Sequence, residues 1–111
     1  MLTLLYSPFP TLESARAASA ALLEARTVAC CNLITGAESH YLWQGTLTSA
    51  TETILIAKTT AEMAPRAHAL LAAHHPYECP AILSFSANAN PEFVSWANAS
   101  TAPEKNSDKG D

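Results

Sequence analysis

Basic residues are scarce in this chain. Six lysines and arginines stand against ten acids among 111 residues, a net charge of −4 with neutral histidines. Nucleic acid and anionic membranes require a basic footprint, so this balance argues against both as partners. Glycine is rarer still, with three in all. A Gly-rich phosphate cradle of the P-loop or dinucleotide type therefore has no material to be built from. The Gly-x-Ser-x-Gly elbow of serine hydrolases is also missing. No apolar run approaches the roughly 18 residues of a membrane span. The first ten residues carry no basic region and no cleavage signature, so no secretion signal is expected. Three cysteines, two of them adjacent, make neither a disulfide framework nor a Cys-x-x-Cys pair. Unpaired thiols of this kind point to a reducing cytoplasm.

Charged residues reach only 14%, while hydrophobic residues make up 49%. A small domain with so few charges points to extra burial between subunits. Residues 1–100 read as one domain. Residues 101–111 are charged, carry no large apolar side chain, and read as a disordered tail.

Hydrophobic periodicity orders the elements. A first strand is expected from Leu2 to Tyr6, ended by Ser7-Pro8-Phe9-Pro10. Thr11 can cap a helix from Leu12 to about Arg26. Val28 to Ile34 reads as a strand broken at Thr35-Gly36. Glu38 to Gln44 then alternates as a second strand segment, and Gln44-Gly45 marks a hairpin turn. The return strand starts near Thr46 and is clearest from Thr53 to Lys58. A second helix begins between Glu62 and Pro65 and stops before Pro76. A last strand is expected from Ala81 to Ala87. Asn90-Pro91-Glu92 has the form of an N-cap and first turn for a short final helix. The order β-α-β-β-α-β plus a terminal helix is the α+β, ferredoxin-like pattern, which by itself decides no function.

His74 and His75 are candidate metal ligands, because imidazole nitrogen suits copper and zinc. Neighbours in a helix point about 100° apart, but Pro76 displaces His75 from helical geometry and lets both rings turn to one ion. The alternative is a helix-end pair that serves the last carbonyls and the macrodipole. Glu78 is either a further ligand or a partner for Lys58. Lys58 otherwise meets an anion in a cleft or snorkels at its strand end. Cys30 and Cys31, with Cys79 as a third thiol, are possible ligands. The adjacent pair faces opposite sides of a strand, and small buried cysteines more often pack as hydrophobes. Tyr41, Trp43, Tyr77 and Trp96 either line a pocket or anchor a subunit interface, and the interface is favoured.

Several segments together resemble one family. They are Arg26-Thr27-Val28-Ala29-Cys30-Cys31-Asn32-Leu33, Tyr41-Leu42-Trp43-Gln44-Gly45, Ile56-Ala57-Lys58-Thr59-Thr60 and His74-His75-Pro76-Tyr77-Glu78-Cys79-Pro80, followed by Asn90-Pro91-Glu92-Phe93 and Trp96. Their order and spacing over residues 2–100 resemble the CutA divalent-cation tolerance proteins. The resemblance implies a ferredoxin-like subunit in a tight homotrimer, cytoplasmic in bacteria. It implies binding of copper or other divalent metal ions such as zinc, a role in metal tolerance, and no catalysis. Carried onto this chain, the metal site is expected at His74, His75 and Glu78. The family is similar in shape to the PII signalling proteins, so the alternative is a module that holds a small anion or a protein partner in clefts between subunits. Three positions depart from the family pattern. Tyr6 stands where copper-binding members carry a cysteine, Ala81 where an acid is usual, and Cys31 where an aliphatic is usual. A phenol is a poor ligand for copper near neutral pH where a thiolate is a good one.

Overall fold

Residues 1–102 are described by the computed structural model. They form β1 (Leu2–Phe9), α1 (Leu12–Glu24), β2 (Cys30–Trp43), β3 (Thr46–Thr60), α2 (Ala64–His74), β4 (Leu83–Ala87) and α3 (Pro91–Ser100). The four strands make one sheet in the order β2-β3-β1-β4, and every pairing is antiparallel. This is the α+β, ferredoxin-like architecture.

Local chemistry sets the helix ends. Thr11 Oγ1 accepts the Ser14 N–H at 3.0 Å and Ser14 Oγ accepts the Thr11 N–H at 3.3 Å, a reciprocal cap on α1. At its other end the Thr27 N–H bonds the Leu22 carbonyl and the Arg26 N–H that of Leu23, with Arg26 at φ 60°. Asn90 occupies the position before α3 but makes no capping bond. Its amide lies 3.4 Å from Glu92 Oε1 instead.

The two sheet faces have different covers. Leu5, Phe9, Leu55 and Ala57 lie in one buried cluster with Ala15, Ala18 and Leu22 of α1 and Ala67 and Leu71 of α2. The many alanines let helix backbones approach the sheet closely. Alternation sends Tyr6, Ile54, Ile56 and Lys58 to the opposite face. There α3 covers one end only, with Ala97 packed on Leu2 and Ala29.

Expected boundaries shift: α1 ends at Glu24 rather than about Arg26, β2 starts at Cys30 rather than Val28, and three more have a cause in the sheet. Thr35-Gly36 does not break a strand. Gly36, at φ 79°, sits in a register irregularity between Ile34 and Ala37, so β2 continues as one strand of 14 residues. A bulge of this kind needs a residue that tolerates positive φ. Second, β1 runs through Pro8 to Phe9, pairing Pro8 with Ile54 of β3. Third, β4 starts at Leu83 rather than Ala81. The register that sets Tyr6 against Leu83 would set Ser7 against Ile82 and then Pro8 against Ala81. Proline has no N–H to give there, so the β1–β4 ladder stops. Of the expected tail, Thr101 and Ala102 are tied to the domain through the Ala97 and Arg26 carbonyls, and residues 103–111 lie outside the described residues.

The core makes a contrast that can be measured. Phe9 is fully buried, so Phe9→Ala should cost ~3–5 kcal/mol. Cys31 only packs against the edge of the same cluster, and Cys31→Val should cost under ~1.5 kcal/mol. Urea denaturation of both variants checks this, and equal losses would contradict the assigned core.

Candidate functional site

Where the β1–β4 ladder stops, the loop between α2 and β4 takes over. Ser7 Oγ donates to the Ala81 carbonyl at 2.7 Å, and the Pro8 carbonyl lies 2.9 Å from His75 Nε2. His75 has left the helix, with φ −82° and ψ 134°, as the proline after it requires. Its ring stacks on Phe9 with centroids 4.0 Å apart. Nδ1 lies 3.2 Å from the Tyr77 N–H. A carbonyl can only accept and an N–H can only donate, so the ring is neutral with its proton on Nε2.

Tyr77 then reaches β3. Its hydroxyl donates to Glu52 Oε2 at 2.7 Å, while Ser39 Oγ of β2 donates to Glu52 Oε1 at 2.6 Å. Burial raises the Tyr77 phenol, and the bond to Glu52 together with its charge adds to this, so it is pushed up to about 12. The phenol is therefore a constant donor. Around this cluster lies an open pocket of about 400 Å³, lined by Pro8, Tyr41, Trp43, Tyr77, Glu52 and Cys79 with Ala81 at its rim. Among the described residues no lysine, arginine or histidine lines it.

The candidate residues separate into groups. Tyr41, Trp43 and Tyr77 come together at this pocket. Cys30, Lys58 and Trp96 lie at the far end of the same sheet face. There Cys30 pairs with Lys58 in register, the Lys58 ammonium lies 5.7 Å from the Phe93 ring centre, and Phe93 stacks on Trp96. Lys58 thus meets an aromatic ring rather than Glu78. Tyr6 sits between the groups, paired with Ile56 and Leu83. His74, His75 and Glu78 are not gathered around one point. His75 is only 8% exposed with both ring nitrogens engaged, while His74 and Glu78 are exposed. Among the described residues no group of three or more His, Cys, Asp or Glu is placed to hold a metal ion. Burial also pushes the Cys31 thiol up, away from the thiolate a metal needs. Within one protomer the side chains therefore do not fit a closed metal site.

Glu52, Ser39 and Pro8 were not expected at a site. A signal for Glu52 was present. A turn centred on Gln44-Gly45 sets Trp43 against Thr46 and Tyr41 against Thr48. Continued along the hairpin, it sets Ala37 against Glu52. Directly paired residues share a face, so the acid belongs with Ser39, Tyr41 and Trp43.

Comparison with known proteins now decides the family. The family model described as CutA1 divalent ion tolerance protein matches residues 3–100. The chain belongs to the CutA1 family. The divalent-cation tolerance protein CutA of Thermus thermophilus is 37% identical over 83% of this chain and 90% of its own. The crystal structure of CutA1 from Ehrlichia chaffeensis superposes with a TM-score of 0.88 at 38% identity, covering 92% of this chain and 96% of that one. A CutA from Archaeoglobus fulgidus, described as periplasmic, superposes at 0.84 with 30% identity over 90% and 98%. CutA1 membership joins the chain to divalent-cation tolerance. No helix among the described residues is long and apolar enough to cross a membrane.

The His75 arrangement carries a pH consequence. Burial lowers its affinity for a proton, opposed in part by the Pro8 carbonyl and the Glu52 charge. A depressed folded value means the neutral ring stabilises the fold fully above the free imidazole value of ~6.5, and that contribution is lost as pH falls through the folded value. The melting temperature should therefore fall as pH drops below the free imidazole value of ~6.5, and less steeply in His75→Asn. Identical slopes would show that His75 is not the group responsible.

Proposed function

We propose that this CutA1-family chain serves divalent-cation tolerance as a homotrimer that binds copper, and zinc as a second ion, as cargo and without turnover. The observation that supports assembly is the hairpin tip. Leu42 and Leu47 pair across β2 and β3 and are 70% and 74% exposed. Such a pair needs a cover. At the opposite edge of the sheet, Leu83 and Phe85 of β4 are also exposed. Two different edges joining head to tail make a heterologous contact, which gives a ring when the rotation between copies closes and a filament when it does not. Three is the smallest number that closes such a ring, and it leaves no strand edge open to aggregation.

Assembly also bears on the ion. The exposed donors His74, Glu78 and Cys79 lie at the end of α2 and in the loop that follows it, and donors from neighbouring copies would complete a coordination shell. His75 supports this loop from inside rather than ligating. The free state of all three thiols supports a reducing cytoplasm as the compartment. A PII-like module holding an anion is the second account. The aromatic pocket, lined by an acid and, among the described residues, by no base, favours cations over anions and so weighs against it.

Light scattering of the purified protein should return three chains, and the double change Leu42→Asp with Leu47→Asp should return one. Copper titrated calorimetrically into the trimer should bind through His74. His74→Ala should weaken binding several-fold. A monomer at micromolar concentration would end the trimeric reading. Unchanged copper affinity in His74→Ala would remove the loop from the metal site.

A further inference from the structure

The helix pair keeps an apolar groove between its members. Ala25 and Thr27, just past the end of α1, form one wall, and Arg66, Ala69, Leu70 and Ala73 of α2 form the other, around about 350 Å³. The four α2 positions recur at helical spacing and so share one face. The groove lies on the helix-covered side of the sheet, away from the hairpin tip and the β4 edge at which copies are proposed to meet. The chain comes back to this place after α3. The Arg26 guanidinium donates to the Ala99 carbonyl at 3.4 Å, and the Arg26 carbonyl accepts the Ala102 N–H at 3.1 Å. Ala102 is thus pinned to the residue between the two that form the first wall. Thr101 is already extended, at φ −105° and ψ 156°. A proline follows Ala102, which keeps that residue out of the helical region as well.

We propose that Pro103 and Glu104 occupy this groove, the proline ring on Ala69 and Leu70 and the carboxylate beside Arg66, so that the chain straps α1 to α2. The placement follows from where the segment begins and from the order of its side chains. Two extended residues reach about 7 Å beyond Ala102, on the scale of a groove of this volume. Proline comes first. Its ring is apolar, it has no N–H to leave unpaired on an alanine surface, and its fixed φ lowers the entropy lost on docking. The acid comes second. Arg66 is the one basic residue among the described residues that line the groove. Its side chain is already engaged, and Glu104 joins its surroundings as a further neighbour of opposite charge. The family match ends at residue 100, so the strap is a feature of this chain that CutA1 membership does not describe.

Nuclear Overhauser contacts in the full chain, with leucine methyls labelled, test the strap. A cross-peak should join the Pro103 ring protons to a Leu70 methyl. Glu104→Arg should weaken that cross-peak, because it sets a like charge beside Arg66. Changing Pro103→Gly, Glu104→Ser and Lys105→Ser together, within the full chain, should shift the amide signals of Ala69 and Ala73, which line the groove but lie far from these positions in sequence. Circular dichroism confirms that both variants are folded. Absence of the Pro103–Leu70 cross-peak, a cross-peak of full strength in Glu104→Arg, or unmoved Ala69 and Ala73 signals in the triple variant would overturn the proposal. Groove signals that move with protein concentration in the wild type and the triple variant alike would assign the groove to a second copy, and would overturn it too. None of these readouts depends on copper binding or on the number of copies that join in a ring.

Discussion

The ring of Pro8 removes one donor from the middle of the sheet, and the functional end of the molecule is built on that gap. Had position 8 offered an N–H, the β1–β4 ladder could have continued to Ala81. Instead the polar groups left over are taken by side chains. Ser7 Oγ caps the Ala81 carbonyl, and His75 serves the Pro8 carbonyl. Buried polar groups rarely remain unpaired, so the early end of β4 obliges the loop after α2 to fold back here. Pro76 contributes by forcing His75 out of the helix. The ring is then sandwiched between Phe9 and Tyr77, which ties the loop to the main core and sets Tyr77 over the sheet edge.

The long hairpin is the second constraint. Fourteen and fifteen residues in β2 and β3 carry it well past the body, giving the described residues principal extents of 53 × 30 × 20 Å. Alternation then separates two chemistries. Leu42 and Leu47 point to one face of the tip, and Tyr41 and Trp43 to the other. The bulge at Gly36 matters for this division. It shifts the register by one residue between Ile34 and Ala37, and one residue of shift exchanges the two faces of a strand. Leu33 therefore packs on the core, while beyond the bulge Ser39 and Tyr41 share the face of Glu52.

Most of the fold was legible because its signals are local. Thr11 with Ser14, Gln44 with Gly45, and the alternating run from Thr53 to Lys58 each act through neighbours in sequence. What was misread depends on partners distant in sequence. Pro8 looks like a strand end until its neighbour strand is known to stop beside it. Thr35-Gly36 looks like a turn until the opposing strand is seen to continue past it. The site follows the same division. Tyr41, Trp43 and Tyr77 were legible as a set of aromatics, and the fold gathers them at one pocket of the protomer. His74 and His75 look equivalent as adjacent imidazoles, but the contacts that separate them come from Phe9 and Pro8, at the other end of the chain. Glu52 was recoverable from the hairpin's own symmetry, since the pairing beyond Gln44-Gly45 carries it to the face of the aromatics.

Tyr77 is the residue on which these constraints meet. Its N–H is held by His75, its hydroxyl is committed to Glu52, and its ring forms one side of the pocket. A phenol kept protonated up to about 12 cannot act as an anionic ligand near neutral pH. Its oxygen and one oxygen of Glu52 therefore satisfy each other, and what remains facing the pocket is ring surface and residual negative charge. The exposed donors that can approach a metal ion are His74, at the end of α2, and Glu78, in the loop after it, with Cys79 lining the pocket. One short loop thus separates side chains open to solvent from a phenol held to the sheet. The separation follows from the neutral state of His75, because its Nδ1 accepts from the Tyr77 N–H only while that nitrogen carries no proton.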